Sequence, residues 1–199
     1  MDERRDYYWR KAKREGFRSR AAYKLLEIQK KFRIFRKGDV VLDLGCAPGG
    51  WLQLIAEEVG PKGRVVGVDR QHTTPLPYSN VTLVQGDLTG SDVQRAIHAA
   101  LGGPADVVTS DLSPNLTGIG FQDHLRSCEL VREALLVAGR VLRPKGTFLA
   151  KVFQGEELEA TVRDLKSQFG RVRRIVPTAS RKSSSEIYLL AREFRKSYP

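Results

Sequence analysis

The chain has 199 residues, 41% hydrophobic and 29% charged, with 34 Lys and Arg against 23 Asp and Glu for a net charge of +11. That length suits one well-buried domain, and the balance is that of a globular protein rather than a disordered one. No apolar run approaches the roughly 20 residues of a bilayer span, the opening MDERRDYYWRKAK lacks a secretory signal's apolar stretch, and two cysteines, Cys46 and Cys128, form no disulfide framework and fit a reducing cytoplasm.

The charge is uneven from the start. Residues 1–38 hold 14 Lys or Arg and 5 Asp or Glu, a net +9 of the total +11. Tyr7, Tyr8, Trp9, Phe17 and Tyr23 are interleaved with these cations. Basic side chains neutralise phosphates and aromatic faces stack on unpaired bases, so the segment is read as a nucleic-acid contact. A helix charged only for solubility is the plainer alternative, and exposed aromatics argue against it. Residues 1–18 are taken as a basic extension and 19–199 as one domain.

Ser19 to Phe35 is predicted as an amphipathic helix capped by Ser19, with Ala22, Leu25, Leu26, Ile28 and Phe32 on its apolar face. Asp39 to Leu44 reads as a buried strand ending in a glycine-rich loop, and Trp51 to Val59 as the next helix. Strands follow at Arg64–Asp69, Val81–Asp87, Ala105–Asp111, Thr147–Phe153, Arg171–Val176 and Ser185–Arg192. Helices separate most of them, at Asp92–Leu101, Leu125–Leu142 and Glu156–Phe169. Alternating strands and helices imply a mostly parallel sheet covered on both faces. Only a short loop joins the last two strands, so the seventh strand is predicted antiparallel to its neighbour. Several doubly wound folds share this outline.

In such sheets ligands bind beyond the carboxyl ends of the strands. The first loop reads Asp43-Leu-Gly-Cys-Ala-Pro-Gly-Gly-Trp51, and its glycines let backbone approach a ligand closely. It matches neither the dinucleotide fingerprint nor a phosphate-binding P-loop. Acids close the second, third and fourth strands, at Asp69, Asp87 and Asp111. Each alone could be a turn residue or a helix cap, but together they suit a polar, nucleoside-type ligand. The three histidines show no zinc-site spacing, so no metal is expected. Cys46 beside the glycines is read as a packing residue, not a nucleophile.

The stretch DLGCAPGGW, followed in order by VGVD, QGDL, SDLSPN and AKVFQG, closely resembles the FtsJ-type RNA 2′-O-ribose methyltransferases over about residues 18 to 192. The resemblance implies a class I methyltransferase fold: α/β, Rossmann-like, with seven mostly parallel strands and helices on both faces. It implies S-adenosylmethionine as cofactor, held by Gly45, Pro48, Gly49, Gly50, Trp51, Asp69, Asp87, Leu88 and Asp111. It also implies a Lys-Asp-Lys-Glu tetrad, present here as Lys24, Asp111, Lys151 and Glu186. Lys151 interrupts the apolar run Phe148 to Phe153, where an unpaired ammonium is costly; Asp111 and Glu186 are its candidate partners. Methyl transfer to a ribose hydroxyl needs in-line positioning and removal of one proton, and by resemblance Lys151 orients the hydroxyl and takes or relays that proton.

The family resemblance and the compact chain point to a uridine in large-subunit ribosomal RNA, recognised within a ribosomal particle by a monomeric enzyme. Relatives with the same tetrad act on tRNA anticodon loops or messenger RNA caps, so tRNA stays an alternative. Two other classes were weighed. An RNA-binding assembly factor that kept the fold has no need of Lys151, and a nicotinamide oxidoreductase would carry the absent glycine fingerprint. Arg171, Arg173, Arg174, Arg181 and Lys182 form a second basic group near the C-terminal hairpin.

Overall fold

The computed structural model describes residues 3–180 and 184–195. Arg181 and Lys182 of the second basic group lie outside the described residues.

Helix α1 (Glu3–Arg14) precedes α2 (Ala22–Phe32), and strand β1 (Val40–Leu44) leads into α3 (Gly50–Val59). Strands β2 (Arg64–Asp69) and β3 (Val81–Gln85), helix α4 (Ser91–Leu101), strand β4 (Ala105–Ser110) and helix α5 (Gly120–Val141) follow. The chain ends with β5 (Leu142–Phe153), α6 (Leu158–Gln168), β6 (Phe169–Ile175) and β7 (Glu186–Phe194). The strands form one sheet in the order β3-β2-β1-β4-β5-β7-β6. Strand β7 slots between β5 and β6, antiparallel to both, while the remaining pairs run parallel. The predicted architecture is borne out: the chain folds as a seven-stranded α/β sheet with one reversed strand.

Period-two alternation sends neighbouring side chains to opposite faces. Leu42 and Leu44 pack with Val93, Ile97, Val131 and Leu165 of α4, α5 and α6. Val41 and Val65 face Leu25, Ile28, Leu52 and Ile55 of α2 and α3. Burying each such side chain contributes roughly 1.5–3 kcal/mol, so the sheet is anchored on both sides. The site is held on strand ends that themselves cannot shift.

Several boundaries differ from the sequence reading, three of them for reasons the contacts show. Ser19 is not an N-cap: α2 begins at Ala22 after Ala21, which makes no side-chain capping bond, and the Ser19 hydroxyl packs against Gly50 instead, where a Cβ on the glycine would strike it. Ile34 and Phe35 fall outside α2 because Arg33 turns left-handed (φ 49°) and its N–H donates to Gln29 O at 2.7 Å. The Gln29 amide then holds both the N–H and the carbonyl of Phe35. Helix α5 starts at Gly120 rather than Leu125, since the Asp123 carboxylate accepts N–H bonds from Thr117 (2.8 Å) and Gly118 (3.2 Å) and organises the approach to its first turn.

Candidate active site

The loop after β1 brings backbone close to the strand ends. Gly45 sits at φ 77°, and a Cβ there would lie 2.9 Å from Leu112 Cδ2 and 3.0 Å from Leu112 N. The N–H groups of Gly45 and Cys46 reach Val68 O at 2.8 and 3.2 Å. Asp69, closing β2, grips the loop with Oδ2, which accepts the Ala47 N–H at 2.9 Å, while Oδ1 accepts that of Gln71 at 2.8 Å. On the outer side Arg18 donates to Thr74 O (2.5 Å), Pro75 O (2.7 Å) and Pro48 O (3.3 Å). Gly49, at φ 107°, leaves room for that guanidinium.

Trp51 is buried, its Nε1 donating to Ala21 O at 3.0 Å and its ring 5.8 Å from that of Tyr188. It ties α2 to the glycine loop. Cys46 is likewise buried, and burial pushes its thiol up to about 12, which leaves it inert as a nucleophile at neutral pH. Asp43, fully buried, accepts the Thr109 hydroxyl at 2.7 Å on Oδ1, while Oδ2 has no hydrogen-bond partner among the described residues. Burial, reinforced by the charges of Asp111 and Asp69, pushes this carboxyl up to about 8. An uncharged carboxyl thus lies beneath the loop at neutral pH.

The four tetrad positions arrive from α2, the end of β4, and two paired strands. Lys151 Nζ donates to Asp111 O at 2.8 Å and lies 3.2 Å from Asp111 Oδ1. Lys24 Nζ lies 2.5 Å from Glu186 Oε1. All four side chains are 9–19% exposed, too enclosed for water to satisfy an unpaired charge and open enough for a substrate to touch. The sequence reading missed Tyr188. Tyr188, fully buried and opposite Lys151 in the β5–β7 register, donates to Asp111 Oδ1 at 3.1 Å. Burial, then the nearby Asp111 and Glu186 charges, hold its phenol well above the ordinary range, so it remains a donor. In SSSEIYLL it looks like any core tyrosine; only strand pairing reveals its place.

Beside these pairs a cleft of about 580 Å³ opens at the carboxyl ends of β1, β2 and β4. Gly45, Asp69, Leu88 and Asp111 line it, whereas Pro48, Gly49, Gly50, Trp51 and Asp87 do not. Asp87 stands at the surface, accepting the N–H (2.9 Å) and hydroxyl (2.8 Å) of Thr89 and pairing with Arg70 at 2.5 Å. The Thr89 bonds hold its carboxyl below the usual range. Arg126, Glu129 and Glu133 of α5 complete the wall. They were not anticipated, because a polar face at helical spacing reads as a solvated one. The size suits a nucleoside-type ligand, and the carboxylate-rich lining suits hydroxyls or a positive charge better than phosphate.

The family model for FtsJ-like methyltransferases matches residues 17–194. The chain belongs to this family. Two relatives, each named ribosomal RNA large subunit methyltransferase E, come from Methanothrix thermoacetophila and Methanothermobacter thermautotrophicus. The first is 50% identical over 191 residues, 96% of this chain and 73% of that protein; the second is 46% identical over 194 residues, 98% of this chain and 92% of that protein. The solved structure of a candidate ribosomal RNA methyltransferase from Plasmodium falciparum superposes with a TM-score of 0.82 at 31% identity, covering 91% of this chain and all of that one. A methyltransferase of this family needs a methyl donor, and the cleft stands next to the Lys151–Asp111 pair.

Proposed function

We propose that the protein transfers a methyl group from S-adenosylmethionine to a ribose 2′-hydroxyl, on a uridine of large-subunit ribosomal RNA. The observation that carries this reading is the two enclosed ion pairs, Lys151–Asp111 and Lys24–Glu186, with Tyr188 bonded to Asp111, whose side chain lines a carboxylate-rich cleft. The names of the relatives supply the RNA class. When bound, adenosylmethionine supplies a sulfonium-activated methyl group, so the chain's own work is positioning and proton handling.

Gly45, Asp69, Leu88 and Asp111 would hold that donor from the cleft wall, with Pro48, Gly49, Gly50, Trp51 and Asp87 fixing the loops behind it. Lys151 has two directions around its nitrogen taken by Asp111. The remaining one is free to meet the 2′-hydroxyl and orient its oxygen; to take the hydroxyl's proton the nitrogen must be the neutral amine, that direction then being its lone pair. Asp111 and Tyr188 keep that nitrogen in place. Lys24, on the helix that follows the basic N-terminal segment, is held by Glu186.

The RNA approach is read on that surface. Tyr7 and Trp9 are 54% and 49% exposed and available to stack on bases. Tyr8 and Phe17 instead pack on buried Tyr23, at 5.5 and 5.6 Å between ring centroids, so these three hold the extension to the domain. Among the described residues no helix is long and apolar enough to cross a membrane; a monomer working in the cytoplasm on a ribosomal particle is our reading. The test is methyl transfer from labelled adenosylmethionine to naked ribosomal RNA, to unmodified large subunits and to tRNA, with the labelled nucleotide mapped. Label on a uridine ribose in the subunit supports the reading, and label only on tRNA would replace the substrate. Calorimetry with adenosylmethionine and with NAD separates this from an oxidoreductase, which would bind the second.

A further inference from the structure

Among the described residues, three that are not glycine adopt left-handed backbone: Arg33 (φ 49°), Lys145 (φ 64°) and Glu193 (φ 64°). They are far apart in sequence, yet all three line one cavity of about 210 Å³. Backbone held in this unfavourable region tends to collect where function demands a shape. The cavity is also rich in cations, with Arg33, Arg36, Arg143, Lys145, Arg171 and Arg192 against Asp39, Asp106 and Glu193.

The carboxylates are already engaged. Asp106 pairs with Arg143 at 2.5 Å and accepts the Val40 N–H at 2.8 Å. Asp39 accepts the Arg36 N–H at 2.8 Å, and Glu193 pairs with Arg171 at 3.0 Å. Among the described residues, that leaves the side chains of Arg33, Arg36 and Lys145 without an ion pair, Asp39 acting on Arg36 and Arg143 only through its charge. Arg192 donates from Nη2 to Phe32 O at 2.5 Å, but its Nε is buried with no partner. Burial, then repulsion from Arg173, Arg36 and Arg171, pulls its guanidinium below the ordinary range. Positive charge has been gathered here beyond what the protein's own anions neutralise.

This place is remote from the tetrad. Asp106 and Asp111 bracket β4, and Arg192 lies four positions beyond Tyr188 on β7. At about 3.3 Å per residue the two ends stand roughly 13–17 Å apart along the strands. We propose that the cavity is a second RNA-contact site, which takes a backbone phosphodiester at the end of the sheet opposite the reacting ribose. This rests on the RNA-methyltransferase reading. Guanidinium groups match phosphate oxygens with paired N–H bonds. A backbone phosphate is favoured over a free anion because Arg33, Arg36 and Lys145 are exposed around the mouth, where a chain passing outside can use them. The site would then fix the orientation of a structured RNA through a contact that reads no base.

The test compares the wild type with an Arg36→Gln/Lys145→Asn double variant; asparagine tolerates the left-handed backbone at 145. A control pair, Arg163→Gln/Lys166→Gln, removes two exposed cations on α6 outside the cavity. Binding to unmodified large-subunit ribosomal RNA is titrated across salt. For the cavity variant we expect affinity about tenfold weaker near 0.1 M salt and a salt slope shallower by roughly 1–2. Its adenosylmethionine affinity and melting curve should be unchanged, and the control should match the wild type. An unchanged slope, or an equal fall in the control, overturns the proposal. Inorganic phosphate is tested as a stabiliser in parallel: stabilisation lost in the variant together with an unchanged RNA slope would give the site to a free anion instead. Because the slope requires no methyl transfer, failure of the enzyme to modify this RNA would count against the functional reading and leave the cavity's result intact.

Discussion

Asp43 shows how one residue can join fold and function. Its carboxyl is pushed up to about 8 in the folded protein, whereas the ordinary value is 3.8. Between these values the unfolded chain releases this proton and the folded chain keeps it. Asp43 therefore lowers stability as pH rises from about 4 to about 8, by at most about 1.4 kcal/mol per pH unit, with no further change above. Asp43→Asn should flatten that component, which denaturant titrations at pH 5 and pH 8 would read; an unaltered pH slope would count against it. Tyr188 permits a second residue-level test. Tyr188→Phe keeps the packed ring but deprives Asp111 of a donor. We expect kcat about tenfold lower, equivalent to about 1.4 kcal/mol, with KM for adenosylmethionine within twofold of the wild type. A KM change alone would show that Tyr188 serves donor binding rather than the Lys151–Asp111 pair.

At the scale of elements, the glycine loop and the α1–α2 segment do different work. Gly45→Ala combines a left-handed φ of 77° with contacts of about 3 Å to Leu112. It should cost about 1–3 kcal/mol of stability and weaken adenosylmethionine binding at least tenfold, both measurable by calorimetry. In the N-terminal segment Trp9→Ala should weaken RNA binding with stability retained, since stacking on a base is worth about 1–3 kcal/mol. Tyr23→Ala should instead lower the melting temperature, because Tyr23 is buried and bonded to Glu15 at 2.8 Å. The reverse assignment of these two phenotypes would contradict the placing of the RNA surface. Charge reversal at Arg10, Lys11 and Arg14 should weaken RNA binding and reduce its salt dependence, while adenosylmethionine binding is spared.

Across the whole molecule, what was legible in the sequence was whatever local pattern decides. Val40 to Leu44 and Arg64 to Asp69 announce buried strands by their apolar runs, and the eight residues from Pro177 to Ser184 are too few for a crossover, so β7 had to reverse. The end of α2 was not legible, because it depends on the Gln29 amide capturing Phe35, a tertiary event hidden in a helix-compatible sequence. The start of α5 likewise depends on Asp123 bonding backward to Thr117 and Gly118. The tetrad residues were found by motif, and the fold brings them together as two pairs. Tyr188 and the far-end cation cavity were invisible, since both arise from register across β5, β7 and the strand starts rather than from any stretch of sequence.

Lys151 is held by Asp111 beside the cleft and carries the central claim. The most direct measurement is methyl transfer to unmodified large ribosomal subunits by wild type and by Lys151→Ala, with adenosylmethionine affinity measured on the same preparations. We expect ribose-methylated nucleotide with the wild type, a loss of at least about 10²-fold in rate with the variant, and cofactor affinity retained in both. Undiminished ribose methylation by Lys151→Ala would contradict that claim.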